Sequence, residues 1–371
     1  MLRQANRPPE PAGDSVRAVD LFAGCGGLTV GLWEAARRQR RCLDLPFVLE
    51  KEPAYAGVYA ANFPMAGVRT GLVEEYFSGA PGSALTRAER GLRSEVGIVD
   101  IMMGGPPCQG HSDLNNWTRR SDPRNELYLR MARAAEVVQP RLVLIENVTA
   151  VQRDQSDVVG QTIGALEKLG FEVASRVVDL HRIGVPQRRR RHLLLASRDS
   201  SVDPGDALAS LDEDLSPGRD LRWAIGDLKE SNGPGVMDLP SSMSAANQAR
   251  AGYLFRTDSY ELPDSERPPC HRDGGHSYKS VYGRLRWELP AQTITTGFGS
   301  MGQGRYLHPS QARTLTPHEA ARIQTFPDWF SFGTNSRRTQ LATMIGNAVP
   351  PLLMVRLGTY LIQALDGGGK G

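Results

Sequence analysis

Residues 98–112, Ile-Val-Asp-Ile-Met-Met-Gly-Gly-Pro-Pro-Cys-Gln-Gly-His-Ser, constrain the fold of this chain more than any other stretch. An apolar run that reads as a buried strand ends at two glycines, two prolines and one cysteine. Glycine lets the backbone turn where a side chain would clash, and proline fixes φ and stiffens the turn that follows. Cys108 is thereby held out beyond a strand end. It is either a positioned nucleophile or a small buried residue in a tight turn. The surrounding pattern decides between the two.

That pattern repeats along the chain. Residues 16–22 read as a first strand, Ala23-Gly24-Cys25-Gly26-Gly27 as a turn, and 28–41 as a helix with an apolar face at Leu28, Leu32, Ala35 and Ala36. Strand, glycine turn and helix form the nucleotide-cradling unit of doubly wound folds. A second strand, 47–49, ends at Glu50-Lys51-Glu52, where an acid is placed to bind ribose hydroxyls or simply faces solvent. A helix over 53–62 is followed by an irregular polar stretch to about residue 95. After the 98–103 strand come a loop through 111–124, a helix over 125–138, and a strand over 141–146 that ends in Glu146-Asn147-Val148. A helix over 157–169 stops at Gly170. Strands at 172–180 and 192–196 flank Gln187-Arg188-Arg189-Arg190-Arg191. The alternation predicts an α/β fold: a doubly wound, Rossmann-like, mostly parallel sheet covered on both faces. Its functional residues belong at the carboxyl ends of strands. Gly24, Glu50, Cys108 and Glu146 all occupy such ends, which favours the nucleophile reading of Cys108.

After Ser197 the character changes. From 198 to about 312 helical periodicity is scarce, short β-like pieces appear at 281–282 and 293–295, and 297–304 is a glycine-rich loop. Helices return at 317–326 and 352–365. At 371 residues the chain exceeds one average core. The expected domains are a catalytic one over 1–198, completed by 340–371, and a smaller β- and loop-rich one over 199–339. Residues 1–14 read as a frayed leader without a secretory pattern, and no apolar stretch is long enough to cross a bilayer. Cys25, Cys42, Cys108 and Cys270 lack the spacing of a disulfide framework or zinc site, and Cys270 with His271 and His276 fits no common metal pattern. A reducing cytoplasm, no metal and no membrane are the expectations. Net charge is only +3, but of 44 basic residues just five are lysine. Arginine suits bidentate phosphate and base contacts, although a GC-rich genome produces the same bias.

Together these residues resemble the DNA cytosine-5 methyltransferases over nearly the whole chain. Asp20 to Gly27 is similar to that family's S-adenosylmethionine loop, Gly104-Gly105-Pro106-Pro107-Cys108-Gln109 to its nucleophile loop, and Glu146-Asn147-Val148 to its acid motif. Gln187, Arg189 and Arg191 match its Gln-x-Arg-x-Arg run. The segment from Arg313 to Arg322, with Leu315 and Glu319, resembles the support of its target-recognition region, and Gly346-Asn347-Ala348-Val349-Pro350 its closing motif. The resemblance implies a monomer that methylates cytosine C5 in double-stranded DNA from S-adenosylmethionine, leaving S-adenosylhomocysteine, alone or beside a restriction endonuclease. The implied cofactor residues are Phe22, Ala23, Gly24, Gly26, Gly27, Leu28, Glu50, Lys51, Pro106, Leu127, Asn347 and Val349.

For catalysis it implies that the Cys108 thiolate attacks C6, while Glu146, partly protonated through burial, holds N3 and the exocyclic amine. Arg191 contacts the cytosine O2, and Arg189 supports the site or a phosphate. The base is flipped out of the duplex, with the 111–124 loop closing over it. Implied DNA contacts are Gln109, Ser112, Arg119, Arg120, Gln187, Arg284, Thr293, Gly297, Gly299 and Gln303. Two positions depart from the family pattern. His111 stands where phenylalanine is usual, and Val68-Arg69-Thr70-Gly71-Leu72 lacks the aspartate that binds the adenine amino group. Three other readings stay open at this point: a tRNA cytosine-5 methyltransferase, a catalytically silent DNA-binding relative, and a nicotinamide dehydrogenase. The dehydrogenase has no use for the Pro-Pro-Cys turn, and the silent relative none for an intact Cys108, Glu146 and Arg191.

Overall fold

The computed structural model describes residues 2–107, 126–213, 218–228, 235–272, 281–333 and 336–367. The elements run β1 (Ser15–Leu21), α1 (Gly27–Arg38), β2 (Cys42–Glu50), α2 (Pro53–Asn62), β3 (Val68–Thr70), α3 (Val73–Tyr76), α4 (Arg87–Val96), β4 (Ile101–Gly104), α5 (Glu126–Val138), β5 (Leu142–Asn147) and α6 (Val158–Lys168). They continue with β6 (Glu172–Asp179), β7 (Gln187–Arg188), β8 (Arg190–Ser197), α7 (Pro204–Glu213), α8 (Leu221–Ile225), α9 (Ala245–Arg256), β9 (Ala291–Gln292), α10 (Pro317–Ile323), α11 (Arg338–Asn347) and α12 (Pro351–Gly367). One compact unit comprises Arg7–Ile183, Arg190–Leu215 and Val349–Gly371; the other comprises Met1–Asn6, Gly184–Arg189 and Ser216–Ala348. These borders differ from the expected ones at 198 and 340. The arginine run itself is split, with Arg189 in one unit and Arg190 in the other.

The first unit is built on a seven-stranded sheet in the order β3-β2-β1-β4-β5-β8-β6. β1 to β5 pair parallel, and β8 runs antiparallel to both β5 and β6. Every residue of β4 and β5 is buried, as near-continuous apolar strands must be when helices cover both faces. β1 lies between β2 and β4, so strand order reverses there. Leu21 stands opposite Leu49 on one side and Gly104 on the other. Loops leaving these strands open the crevice where doubly wound sheets bind ligands.

Residues 338–367 are long and apolar enough to cross a membrane, but most of the apolar stretch is buried inside the protein. The helix is interrupted at residues 348–350, and the apolar face of α12 packs on α1. Glycine makes that approach possible: a Cβ at Gly31 would lie 2.2 Å from the Pro351 carbonyl oxygen.

The polar stretch before residue 95 is not irregular: it contains β3, α3 and α4. α4 begins at a capping box in which the Thr86 hydroxyl accepts the Glu89 N–H and the Glu89 carboxylate accepts the Thr86 N–H. Its apolar pattern is thin because Glu89 itself faces inward. Glu89 Oε2 lies 2.6 Å from Arg133 Nη2 of α5, and neither side chain is exposed. Breaking a buried pair strands a charge, which costs about 3–5 kcal/mol. Glu89→Ala should therefore lower the denaturation midpoint by that equivalent, whereas a Glu89→Gln variant that keeps the cap loses less; equal midpoints for Glu89→Ala and the unaltered chain would refute the assignment.

The second unit, expected to be β- and loop-rich, carries more helix than strand among the described residues. Its sheet is the two-residue pair β7–β9. A small core of Ala251, Leu254, Leu262, Met301 and Leu307 holds α9 against the 301–307 segment. Short helices set between prolines and glycines show too few turns to register as a period. His318 on α10 ties this unit together, with Nδ1 2.9 Å from Asp238 Oδ1 and Nε2 3.1 Å from Asp328 Oδ1. Burial alone lowers its pKa, but the hydrogen bonds and charges of Asp328 and Asp238 outweigh that and raise it. A raised folded-state pKa adds stability that is complete below the unfolded value of about 6.5 and lost as pH climbs through the folded value. Thermal midpoints measured from about pH 6 to 9 should fall for the unaltered chain and flatten for His318→Asn.

Candidate active site

The glycine turn after β1 is held by its neighbours in the sheet. Ala23 N–H donates to the Leu49 carbonyl at 3.1 Å, and Gly24 N–H donates to Glu50 Oε2 at 2.8 Å. The other oxygen, Glu50 Oε1, accepts the Glu52 N–H at 2.9 Å. Phe22 sits at φ +55°, a left-handed conformation uncommon for a bulky residue and typical of functional turns. Gly24 shares that φ, and open space lies where its Cβ would stand. Gly27 is required for another reason: a Cβ there would meet the Val349 carbonyl oxygen at 2.4 Å. Leu28 is buried behind the turn, and Lys51 is exposed beside Glu52. The first turn of α1 has no side-chain cap and no acidic residue.

Below this turn Asp20 is 1% exposed. Asp20 Oδ2 accepts the Thr29 hydroxyl at 2.6 Å and, more distantly, the Tyr59 hydroxyl at 3.5 Å. Burial pushes the Asp20 carboxyl up to about 7, against these hydrogen bonds. Burial also raises Glu50, offset in part by the two backbone donors. Asp20 Oδ1 is buried and has no hydrogen-bond partner among the described residues. An acceptor left unmade in this way costs about 1–3 kcal/mol. An open glycine turn, acceptor oxygens on Asp20 and Glu50, and uncapped backbone donors fit a ligand bearing hydroxyls, an ammonium and a carboxylate. Thr29 and Tyr59 were not among the residues singled out in the sequence, and Asp20 entered there as the first residue of the loop motif with no contact of its own assigned.

The second half of the site follows β4 and β5. Pro106 is buried, and its carbonyl accepts the Asn147 side-chain amide at 3.2 Å. The Asn147 side-chain oxygen, Oδ1, accepts the Val148 N–H at 2.8 Å. Asn147 thus ties the Gly105–Pro107 turn to the end of β5. A Cβ on Gly105 would lie 3.4 Å from Glu146 Oε2, so the acid lies directly against the turn. Glu146 is 7% exposed, and its Oε1 forms an ion pair with Arg191 Nε at 2.6 Å. The register explains the meeting: β8 is antiparallel to β5 with Leu193 opposite Glu146, so Arg191 lies diagonally across on the same face. Arg190 is exposed on the other face, as β alternation requires. Arg191, expected to face a substrate base, is instead paired with Glu146. Leu127 is half-buried on α5. Beside it the Tyr128 hydroxyl is buried without a partner among the described residues, its pKa raised by burial and by the Glu146 charge.

Several expected residues of the second unit have structural occupations. Gln187 is fully buried and bonded to Gln324 Oε1 at 2.6 Å, to the Ile323 carbonyl at 3.3 Å and to the Ile294 N–H at 3.0 Å. Arg189 is 2% exposed and donates to the carbonyls of Ile294 and Ala348, each at 3.0 Å. That geometry braces the backbone and offers no phosphate contact. Arg284 donates to the Pro309 carbonyl at 2.7 Å and to Asp258 at 3.0 Å while lying over Phe255 and Tyr260. Thr293 donates to the Arg188 carbonyl at 2.6 Å. Beside Gly297 and Gly299 the space is taken by side chains, with Gln303 Oε1 1.8 Å and Ser241 Oγ 2.5 Å from where a Cβ would stand. Gln303 and Asn347 are exposed. Cys108, Gln109, His111, Ser112, Arg119 and Arg120 lie outside the described residues, as does the 111–124 loop.

Comparison with known proteins agrees with this geometry. The chain is 43% identical to the type II methyltransferase M1.BsuMI of Bacillus subtilis (strain 168), over 98% of this chain and 84% of that protein. It is 29% identical to the type II methylase M.HgiDII of Herpetosiphon aurantiacus, over 94% and 96%. Among solved structures the fold matches a DNA modification methyltransferase encoded within an E. coli prophage, with a TM-score of 0.65 at 21% identity over 95% of this chain and 99% of that one. It also matches the Schizosaccharomyces pombe Dnmt2 methyltransferase, with a TM-score of 0.62 at 16% identity over 95% and 99%. The sequence model of the C-5 cytosine-specific DNA methylases spans residues 16–363. Sheet, motif order and relatives therefore agree, and this chain belongs to the C-5 cytosine-specific DNA methylases.

Proposed function

We propose that this methylase works through Cys108, Glu146 and Arg191 on a cytosine flipped out of duplex DNA, with S-adenosylmethionine held at the glycine turn. When bound, the cofactor supplies an electrophilic methyl group on a sulfonium. Cytosine C5 is too weak a nucleophile to take it unaided. The Cys108 thiolate adds to C6, which makes C5 enamine-like, and leaves again once C5 has lost its proton. Glu146 holds N3 and the exocyclic amine, keeping a proton on N3 as negative charge develops. Arg191 anchors Glu146 until the base arrives and then turns toward the cytosine O2. Asn147 sets the turn that carries the thiol, and Arg189 is a positioning residue that braces the backbone around Ala348. Glu50 takes the ribose hydroxyls, and Phe22, Leu28, Pro106 and Leu127 supply apolar contact. No metal has a role in this scheme. The enzyme acts as a monomer in the bacterial cytoplasm, beside a cognate restriction endonuclease or without one.

The observation that carries the reading is the position of Glu146. It adjoins the Gly105–Pro107 turn, which leads into Cys108 one residue later, and it is paired with Arg191. The cofactor assignment is supported by the open turn at Gly24, the unpartnered Asp20 oxygen and the place of Glu50 at the end of β2, bonded to the Gly24 N–H.

Duplex DNA with 5-fluorocytosine at the target should trap the enzyme covalently in the presence of S-adenosylmethionine; bound DNA without an adduct would sink the mechanism. Cys108→Ser should bind the same DNA and transfer no methyl group. Glu146→Gln and Arg191→Ala should each slow transfer by about 10²–10⁴-fold. Because the two side chains touch, the double variant should lose less than the product of the single effects. Conversion sequencing of DNA from cells expressing the chain identifies the modified base and its sequence context.

A further inference from the structure

The stretch before β1, expected to fray, packs against the first unit from Arg7 onward. Pro8 is buried. The Pro11 carbonyl accepts the Cys42 thiol at 2.7 Å, and a Cβ on Gly13 would lie 2.2 Å from the Arg40 carbonyl oxygen. At the centre of this packing is the half-buried Arg7 guanidinium. Its Cζ lies 4.7 Å from the centroid of the Trp33 ring on α1 and 4.9 Å from that of Phe63, just past the end of α2. A cation at such distances is attracted by both ring faces. Arg7 also donates to the carbonyl of Asn62, the last residue of α2, and to Glu10 Oε1 at 2.7 Å. The same Glu10 oxygen accepts the Trp33 indole N–H at 2.6 Å. One guanidinium therefore ties α1 to the end of α2. Phe63 in turn lies 5.4 Å from Tyr59, centroid to centroid. A Cβ on Gly26 would lie 3.0 Å from Tyr59 Cδ2 and 3.7 Å from Phe63 Cε2, so the glycine turn rests on these two rings. The Tyr59 hydroxyl meets that of Thr29 at 2.6 Å, and Thr29 donates to Asp20. Contacts thus run unbroken from Arg7 through Phe63 and Tyr59 to Gly26 and Asp20.

We propose that Arg7 is a positioning residue for the cofactor: by holding Phe63 and the end of α2 from behind, it fixes the floor beneath the glycine turn and so sets affinity for S-adenosylmethionine. The inference rests on the reading that the cofactor lies along Phe22–Gly27. Gly26 sits at φ +99° and brings no side chain of its own to anchor the turn. Its place depends on the rings below it, and theirs on the cation that joins Phe63 to Trp33. Without that cation the turn is less well ordered before the ligand arrives, and ordering it then weakens binding. Arg7 itself touches neither the turn nor the strand ends that carry Glu146 and the approach to Cys108. Its loss therefore appears in cofactor affinity and leaves the chemical step alone.

The test separates cofactor affinity from the rest of the reaction. S-adenosylhomocysteine is titrated calorimetrically into the full chain, unaltered and carrying Arg7→Ala, Arg7→Lys, Phe63→Leu or Pro9→Ala. Arg7→Ala and Phe63→Leu should each weaken binding by about tenfold. Arg7→Lys keeps a cation between the rings and should recover most of the loss. Pro9→Ala, exposed in the same stretch, should change nothing. In turnover assays Arg7→Ala should raise KM for S-adenosylmethionine while kcat and KM for DNA hold. Unchanged S-adenosylhomocysteine affinity in Arg7→Ala, or in Phe63→Leu should Arg7→Ala not fold, overturns the role of Arg7. A loss shared equally by cofactor and DNA overturns it as well, because a merely structural part would weaken both. Failure of the unaltered chain to bind S-adenosylhomocysteine overturns the cofactor reading, and the role of Arg7 with it.

Discussion

The pairing of β1 with β2 on one side and β4 on the other is the constraint from which the rest of the site follows. Parallel strands end on a common edge, and reversal of strand order at β1 parts the loops on either side. Leu21 stands beside both Leu49 and Gly104, so Glu50 and the Gly-Pro turn each start within one strand spacing of the glycine turn. No side chain has to reach far. The backbone has already brought the Glu50 carboxylate and the turn that leads to Cys108 to the same rim.

That rim concentrates acids, and the protein manages each differently. Asp20 is buried under the loop and pushed up to about 7, with one oxygen bonded and the other open. Glu50 is also raised by burial, yet two backbone N–H groups hold its carboxylate in place. Glu146 has an arginine at 2.6 Å. The three environments separate these carboxyls: one lies beneath the loop, one holds it through two backbone N–H groups, and one lies against the turn before Cys108. A buried imidazole lies close by on β8: His192, pushed down to about 4 by burial, has neither ring nitrogen bonded among the described residues.

Arginines divide just as sharply. Arg133, Arg189 and Arg322 are almost wholly buried. Arg133 pairs with Glu89, Arg322 with Asp227 and Asp328, and Arg189 with backbone carbonyls. A planar, always-charged donor suits such internal cross-links as well as it suits phosphate. A count of arginines therefore overstates the nucleic-acid surface. Gln187 shows the same ambiguity: its donors and acceptor all serve the packing of the second unit.

What the sequence determined by itself was the doubly wound sheet and the strand-end positions of Gly24, Glu50, Glu146 and the Gly-Pro-Pro-Cys turn. Those features are local: an apolar run, a turn residue and an acid lie side by side in the chain, and period alone reveals them. Tertiary structure decided the rest, because it depends on partners distant in sequence. α4 was hidden by an inward glutamate whose partner lies 44 residues away on α5. Arg189 and Arg191, two positions apart, parted into different units, one bracing carbonyls and the other meeting Glu146. After β3, Glu75 turns back to accept the Leu72 N–H and caps the short helix α3, a contact that no period in the chain announces.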